Sequence, residues 1–212
     1  MRTWIFCIPT VITLLSGTVG AQVDTSSPKA TVKSLYAAVE RGDQAAITQL
    51  FVVENDSQGE LAKAYANLIL AGKRLGDAAK QKFPSATNNA LLQATISLED
   101  AAKVDKAQVS VDGDNATLKT SGGNPFSLRR VNGAWRVAIG SSDASRPDNR
   151  AGQLVLLMDL TSAMKQSADE IAADKYATIQ DAESTLQQRL GAVSAKAMQT
   201  DAPASQPTTR PG

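Results

Sequence analysis

Apolar positions recur at helical spacing through the first third of the chain. Ser26-Ser27-Pro28 supplies a capping serine and a proline suited to the first helical position. Val32, Leu35, Tyr36 and Val39 then mark one face of a helix that Gly42 ends. Asp43 can cap a second, shorter helix that buries Ile47, Leu50 and Phe51. A third helix is predicted over 57–82, with a stripe of Leu61, Tyr65, Leu68, Gly72, Leu75 and Ala79, closed by Pro84. Residues 87–103 carry a helical pattern that Thr95, Ile96 and Ser97 weaken.

From Val104 the period changes to two. A turn at Gly113-Asp114 sets Val111 against Ala116 and Val109 against Leu118, leaving Ser110 and Thr117 on the other face. Asn132-Gly133 is a stronger hairpin signal, pairing Phe126 with Ile139, Leu128 with Val137 and Arg130 with Trp135. Trp135 is thereby a core residue, with the Arg130 stem lying along its indole. Strands are expected near 104–111, 115–120, 125–131 and 134–140. The second face of the Asn-Gly hairpin puts Arg129 directly opposite Arg136, a mildly unfavourable like-charge pair. It reads first as a solvated strand face and second as an anion-binding edge.

Beyond a polar linker at 141–149, two more helices are predicted. The first, over about 149–172, carries Leu154, Leu157, Met158, Thr161, Met164 and Ala168 on one stripe. The second begins at Thr178, where Thr-Ile-Gln-Asp forms a capping pair, and continues through Ile179, Ala182, Leu186, Leu190 and Val193. The short stretch 172–177 between them suits an antiparallel pair. The class is therefore α+β: N-terminal helices packed on a four-stranded antiparallel meander, followed by a C-terminal antiparallel helix pair. The divisions are 1–21, 27–140 and 149–198, with a Pro- and Thr-rich tail at 199–212 expected to be disordered.

Residues 1–21 change how the composition is read. Arg2, an apolar run from Trp4 to Leu15 and small residues before Ala21 have the layout of a secretory signal cleaved after Ala21. The run is shorter than the about 20 residues that span a bilayer. The mature chain is expected to be periplasmic or extracellular, with no membrane span. Cys7, the sole cysteine, would leave with the leader, so stability must come from the core. The formal net charge of +1 falls to zero without Arg2, and a nucleic-acid partner would call for a basic footprint instead.

Residues 27–140 resemble the nuclear transport factor 2-like superfamily. The likeness rests on the helices of SPKATVKSLYAAVERGDQAAITQLF with their Gly42-Asp43 step, on VSVDGDNATLKT, and on the hairpin whose turn precedes Trp135. It implies a curved sheet wrapped on helices, a frame that hosts isomerases, dehydratases and non-enzymatic modules. The predicted third helix is longer than that fold usually has.

Chemistry is limited by what is missing. The chain has no histidine, the residue best suited to proton transfer near neutral pH. With cysteine also gone from the mature chain, zinc and redox-metal sites lose their usual ligands. Residues 112–115 invite comparison with a calcium loop, but Ala116 and Gly123 stand where ligands are needed, so a turn explains them better. Ser-x-x-Lys occurs at 26–29 and 162–165 and Lys-Thr-Ser-Gly at 119–122, in an order that penicillin-binding chemistry does not use. A carboxylate–tyrosine isomerase or dehydratase of the ketosteroid isomerase-like type is the remaining enzymatic reading, drawing on Tyr36, Tyr65 or Tyr176 and on Glu99, Asp100 or Asp105.

The favoured reading is a non-enzymatic binding or protein-interaction module, with no catalytic residues, metal or cofactor expected. Its partner would be a small apolar ligand or another protein, including a second copy in a homodimer. Tyr36, Tyr65, Arg129 and Arg136 are the candidate ligand-binding residues.

Overall fold

A computed structural model describes residues 23–86, 98–121, 124–139 and 150–200. The expected leader at 1–21, the pattern at 87–97, the linker at 141–149 and most of the expected disordered tail lie outside the described residues. The elements in chain order are α1 (Pro28–Arg41), α2 (Gln44–Gln49), α3 (Asp56–Lys82), α4 (Leu98–Asp105), β1 (Gln108–Asp112), β2 (Asn115–Lys119), β3 (Phe126–Val131), β4 (Ala134–Val137), α5 (Arg150–Ala172) and α6 (Ile179–Thr200).

Local chemistry sets the helix boundaries. The Ser27 hydroxyl accepts from the Ala30 amide at 3.2 Å and Pro28 opens α1. Gly42, at φ 67, ends the helix in a left-handed turn that a side chain would resist. Asp43 caps α2 through the Ala46 amide at 3.0 Å, and Asn55 caps α3 through the Gln58 amide at 2.9 Å. Thr178 and Asp181 cap α6 reciprocally: the Thr178 amide donates to Asp181 and the Asp181 amide to the Thr178 hydroxyl.

The four strands form an antiparallel meander in the order β1-β2-β3-β4. Val111 meets Ala116, Val109 meets Leu118, Leu128 meets Val137 and Arg130 meets Trp135, the registers expected from the two turns. Gly113 takes a positive φ at the first central turn position, and Asn132-Gly133 takes positive φ at both. The outer edge of β4 is covered. The Val137 amide donates to the Leu50 carbonyl, the Val52 amide to the Val137 carbonyl, and the Trp135 amide to Thr25.

One core lies between the sheet and α1, α2 and the first half of α3. It includes Val32, Leu35, Tyr36, Val39, Ile47, Leu50, Phe51, Leu118, Leu128, Trp135 and Val137. Thr31, fully buried, shares its hydroxyl between the Ser27 and Trp135 carbonyls and so ties α1 to β4. A second apolar cluster joins Leu75 and Ala79 of α3 to Ala168 and Ile171 of α5 and to Ile179, Ala182 and Leu186 of α6. The long α3 therefore belongs to both.

Side-chain contacts fix the helix directions. Tyr65 meets Gln153, Arg74 meets Asp169 and Lys82 meets Asp174, so α5 runs parallel to α3. Arg189 reaches Ser167 and Lys196 reaches Asp159, so α6 runs antiparallel to α5. The chain reverses between them through Asp174, at φ 58, where a short polar side chain tolerates the left-handed region.

Several expectations need correction. Val104 lies in α4 and is fully buried; β1 starts later, at Gln108. Strand β4 ends at Val137, so Phe126 and Ile139 pack on the core without being a ladder pair. Val111 is 53% exposed although it sits on the apolar side of β1, because that strand is at the sheet's edge. On α3 the most buried positions include Ala62, Ala64, Ala66, Ala71 and Ala79, while Leu61 and Leu68 are half-buried. A helix gripped on two sides must offer small residues for neighbours to approach closely, and a single leucine stripe does not describe it. Met158 of α5 is 61% exposed, and the buried positions are Leu157, Thr161, Ala163, Ser167, Ala168 and Ile171. These positions split between the side toward α3 and the side toward α6.

Candidate functional site

The opposed arginines are accounted for by what each one touches. Arg129, on β3, bonds the Glu54 carboxylate just before α3. Arg136, on β4, bonds the Gln49 carbonyl at the end of α2, where unpaired helix carbonyls carry negative charge. The two guanidinium groups are thus drawn to different acceptors. Arg130 lies with its guanidinium carbon 4.5 Å from the Trp135 ring centroid, as the hairpin register requires.

The candidate tyrosines belong to the first core. Tyr36 is buried and meets Phe126 edge-on, with ring centroids 6.3 Å apart. Tyr65 is half-buried, tilts against Phe51 at 6.5 Å, and its hydroxyl accepts from the Gln153 amide at 3.3 Å. Asp105 sits on the surface paired with Lys33, whose hydrogen bond holds its carboxyl below the usual range. The side chains of Glu99 and Asp100 lie outside the described residues.

A different site emerges between the parallel helices. An open groove of about 700 Å³ runs between α3 and α5, lined by Ala64 and Asn67 on one side and by Met158, Ser162, Lys165 and Asp169 on the other. Short side chains on α3 leave the space, and the outward face of α5 supplies apolar, hydroxyl and charged groups in turn. The Ser162-x-x-Lys165 spacing noted in the sequence lies in this wall. Met158 and Val155, 61% and 50% exposed, are one turn apart on α5.

At the far end of the groove stands a polar cluster that sequence reading missed. Glu170 accepts from the Tyr176 hydroxyl, from Arg189 at 2.7 Å and from Gln166 at 3.2 Å, while Arg189 also donates to the buried Ser167 hydroxyl at 2.9 Å. The Tyr176 hydrogen bond foremost, then Arg189, pulls the Glu170 carboxyl down to about 2. Burial, with Glu170 as acceptor, pushes the Tyr176 phenol up. Only the i,i+4 spacing of Gln166 and Glu170 was available beforehand; the partners from the turn and from α6 depend on how the helices pair.

A carboxyl lowered on folding adds stability above its unfolded value near 4.5, and that contribution is lost as pH falls from there toward 2. Glu170→Gln is expected to cost about 1–3 kcal/mol at pH 7, since it leaves Arg189 without its anion. The gap between the two melting curves should close as pH falls through that window. Thermal melts across pH check this; a gap independent of pH would contradict it.

Among the described residues no cluster of acidic side chains could hold a metal ion, and no helix is long and apolar enough to cross a membrane. Asp112 and Asn115 close a strand turn as a ladder pair. The chain matches no family model, no curated protein and no solved structure.

Proposed function

We propose that the protein is a non-enzymatic protein-interaction module acting after export, with the α3–α5 groove as its binding surface. One observation carries the reading. The described side chains between sheet and helices, where a ligand pocket of the nuclear transport factor 2-like kind would lie, form a contiguous apolar cluster, while the groove outside it is open and edged by exposed Met158. An open trough with an apolar wall and charges of both signs suits a peptide segment better than a small apolar molecule, which favours an enclosed site. The isomerase or dehydratase reading gains little from Tyr65 and Asp105: the Tyr65 hydroxyl accepts from Gln153 beside the core, whereas Asp105 is paired with Lys33 on the surface.

The test is a photo-reactive residue placed at Met158, compared with one at the exposed Arg41 of α1. A discrete adduct with one protein from the native envelope at position 158, absent at 41, is expected. A small apolar molecule retained through native mass spectrometry, with no adduct at 158, would overturn the reading in favour of ligand binding.

A further inference from the structure

The sheet has two edges, and the chain treats them differently. That of β4 is closed by Leu50, Val52 and Thr25. Along β1 no described backbone pairs with the outer edge, and Gln108, Ser110, Val111 and Asp112 are all exposed. Exposed edges are usually blunted by lysine, proline or a bulge. The strand Gln-Val-Ser-Val-Asp contains neither residue, and its five pairs with β2 run without interruption.

We infer that β1 is the docking edge for β1 of a second copy, giving a two-fold dimer with a continuous antiparallel sheet. The pattern of the strand supports a copy of itself over a foreign segment. Asp112 and Asn115 close a two-residue turn, so Asp112, Ser110 and Gln108 direct their amides and carbonyls toward β2. Those of Val109 and Val111 point outward. With the two-fold axis at Ser110, Val109 of one copy faces Val111 of the other, and these two exchange both backbone hydrogen bonds, twice over by symmetry. The half-exposed Val111 then gains an apolar neighbour on the core side of the sheet. On the opposite face the Gln108 amide lies across from the Asp112 carboxylate, in the closer, non-hydrogen-bonded kind of pair. Shifting the register by one residue would turn the valines toward the polar face. The net charge near zero adds no general repulsion between copies.

This surface is separate from the α3–α5 groove, and either proposal can fail alone. A short edge pairing makes a small interface, so the dimer should be a weak one that dissociates on dilution. Sedimentation equilibrium of the purified protein over a wide concentration range is expected to show a monomer–dimer equilibrium. Val111→Lys should shift it to monomer with an unchanged melting temperature. In a Cys7→Ser background, Ser110→Cys should oxidise to a covalent dimer, because the two sulfurs meet at the axis. Asp112→Cys should form no intermolecular disulfide, because its copies lie on opposite sides of that axis. A protein monomeric at all concentrations, a dimer indifferent to Val111→Lys, or equal cross-linking of both cysteine variants would each overturn the inference.

Discussion

Replacing Trp135 with alanine should cost ~3–5 kcal/mol of stability, the range for truncating a buried aromatic. Its side chain is 3% exposed and sits in the cluster that joins the sheet to α1 and α2. Both polar groups of its backbone are held, the amide by the Thr25 carbonyl and the carbonyl by the buried Thr31 hydroxyl, while Arg130 stands opposite it in the ladder. Those restraints keep the surrounding chain from collapsing into the vacated space, which places the cost toward the upper end. Arg130→Ala removes the side chain that lies over the ring at the sheet surface and should cost ~0.5–1 kcal/mol. Thermal melts of the two variants separate the roles. A Trp135→Ala protein as stable as the parent would mean that the indole is not a core element.

What the sequence disclosed and what it hid divide along a physical line. Features set by neighbouring residues were legible: the caps at Ser27, Asp43 and Thr178, the turns at Gly113 and Asn132-Gly133, and the register that brings Arg130 to Trp135. Each is decided by side chains within a few positions, where turn and cap chemistry outweighs long-range packing. Features set by which element arrives alongside were not. Met158 falls on an apolar stripe in the sequence yet faces solvent, because α5 divides its buried surface between α3 and α6. Val104, a β-branched residue before a strand, has the local character of that strand, yet helix α4 extends through it and it is completely buried.

The same line runs through the candidate site. Arg129 and Arg136 stand opposite each other as the hairpin register requires, but Glu54 and the Gln49 carbonyl occupy them. The groove could not be read from the sequence, since it arises from a parallel meeting of α3 and α5, helices separated by the whole sheet. Glu170 and Arg189 form an ion pair only because α6 folds back on α5.

Truncation after Ser145 should therefore damage more than it deletes. The first half of α3 packs on the sheet domain, through Ala62 and Ala66, but Leu75 and Ala79 rest on α5 and α6. Without those helices Leu75 would meet water, losing ~1.5–3 kcal/mol of burial by itself. The ion pairs of Arg74 with Asp169 and Lys82 with Asp174 would go too, though such exposed pairs contribute at most about 1 kcal/mol each. The second half of α3 would then be a helix of only a few turns with no packed face, and isolated helices of under about 12–15 residues are marginal in water. The expected result is a fragment with a lower melting temperature and with a loss of helical circular dichroism larger than α5 and α6 account for. Amide exchange should locate the excess loss in the C-terminal half of α3, with α1, α2 and the sheet still protected. A fragment that melts where the full chain does, with α3 protected to its end, would show that the C-terminal helices lean on α3 without supporting it.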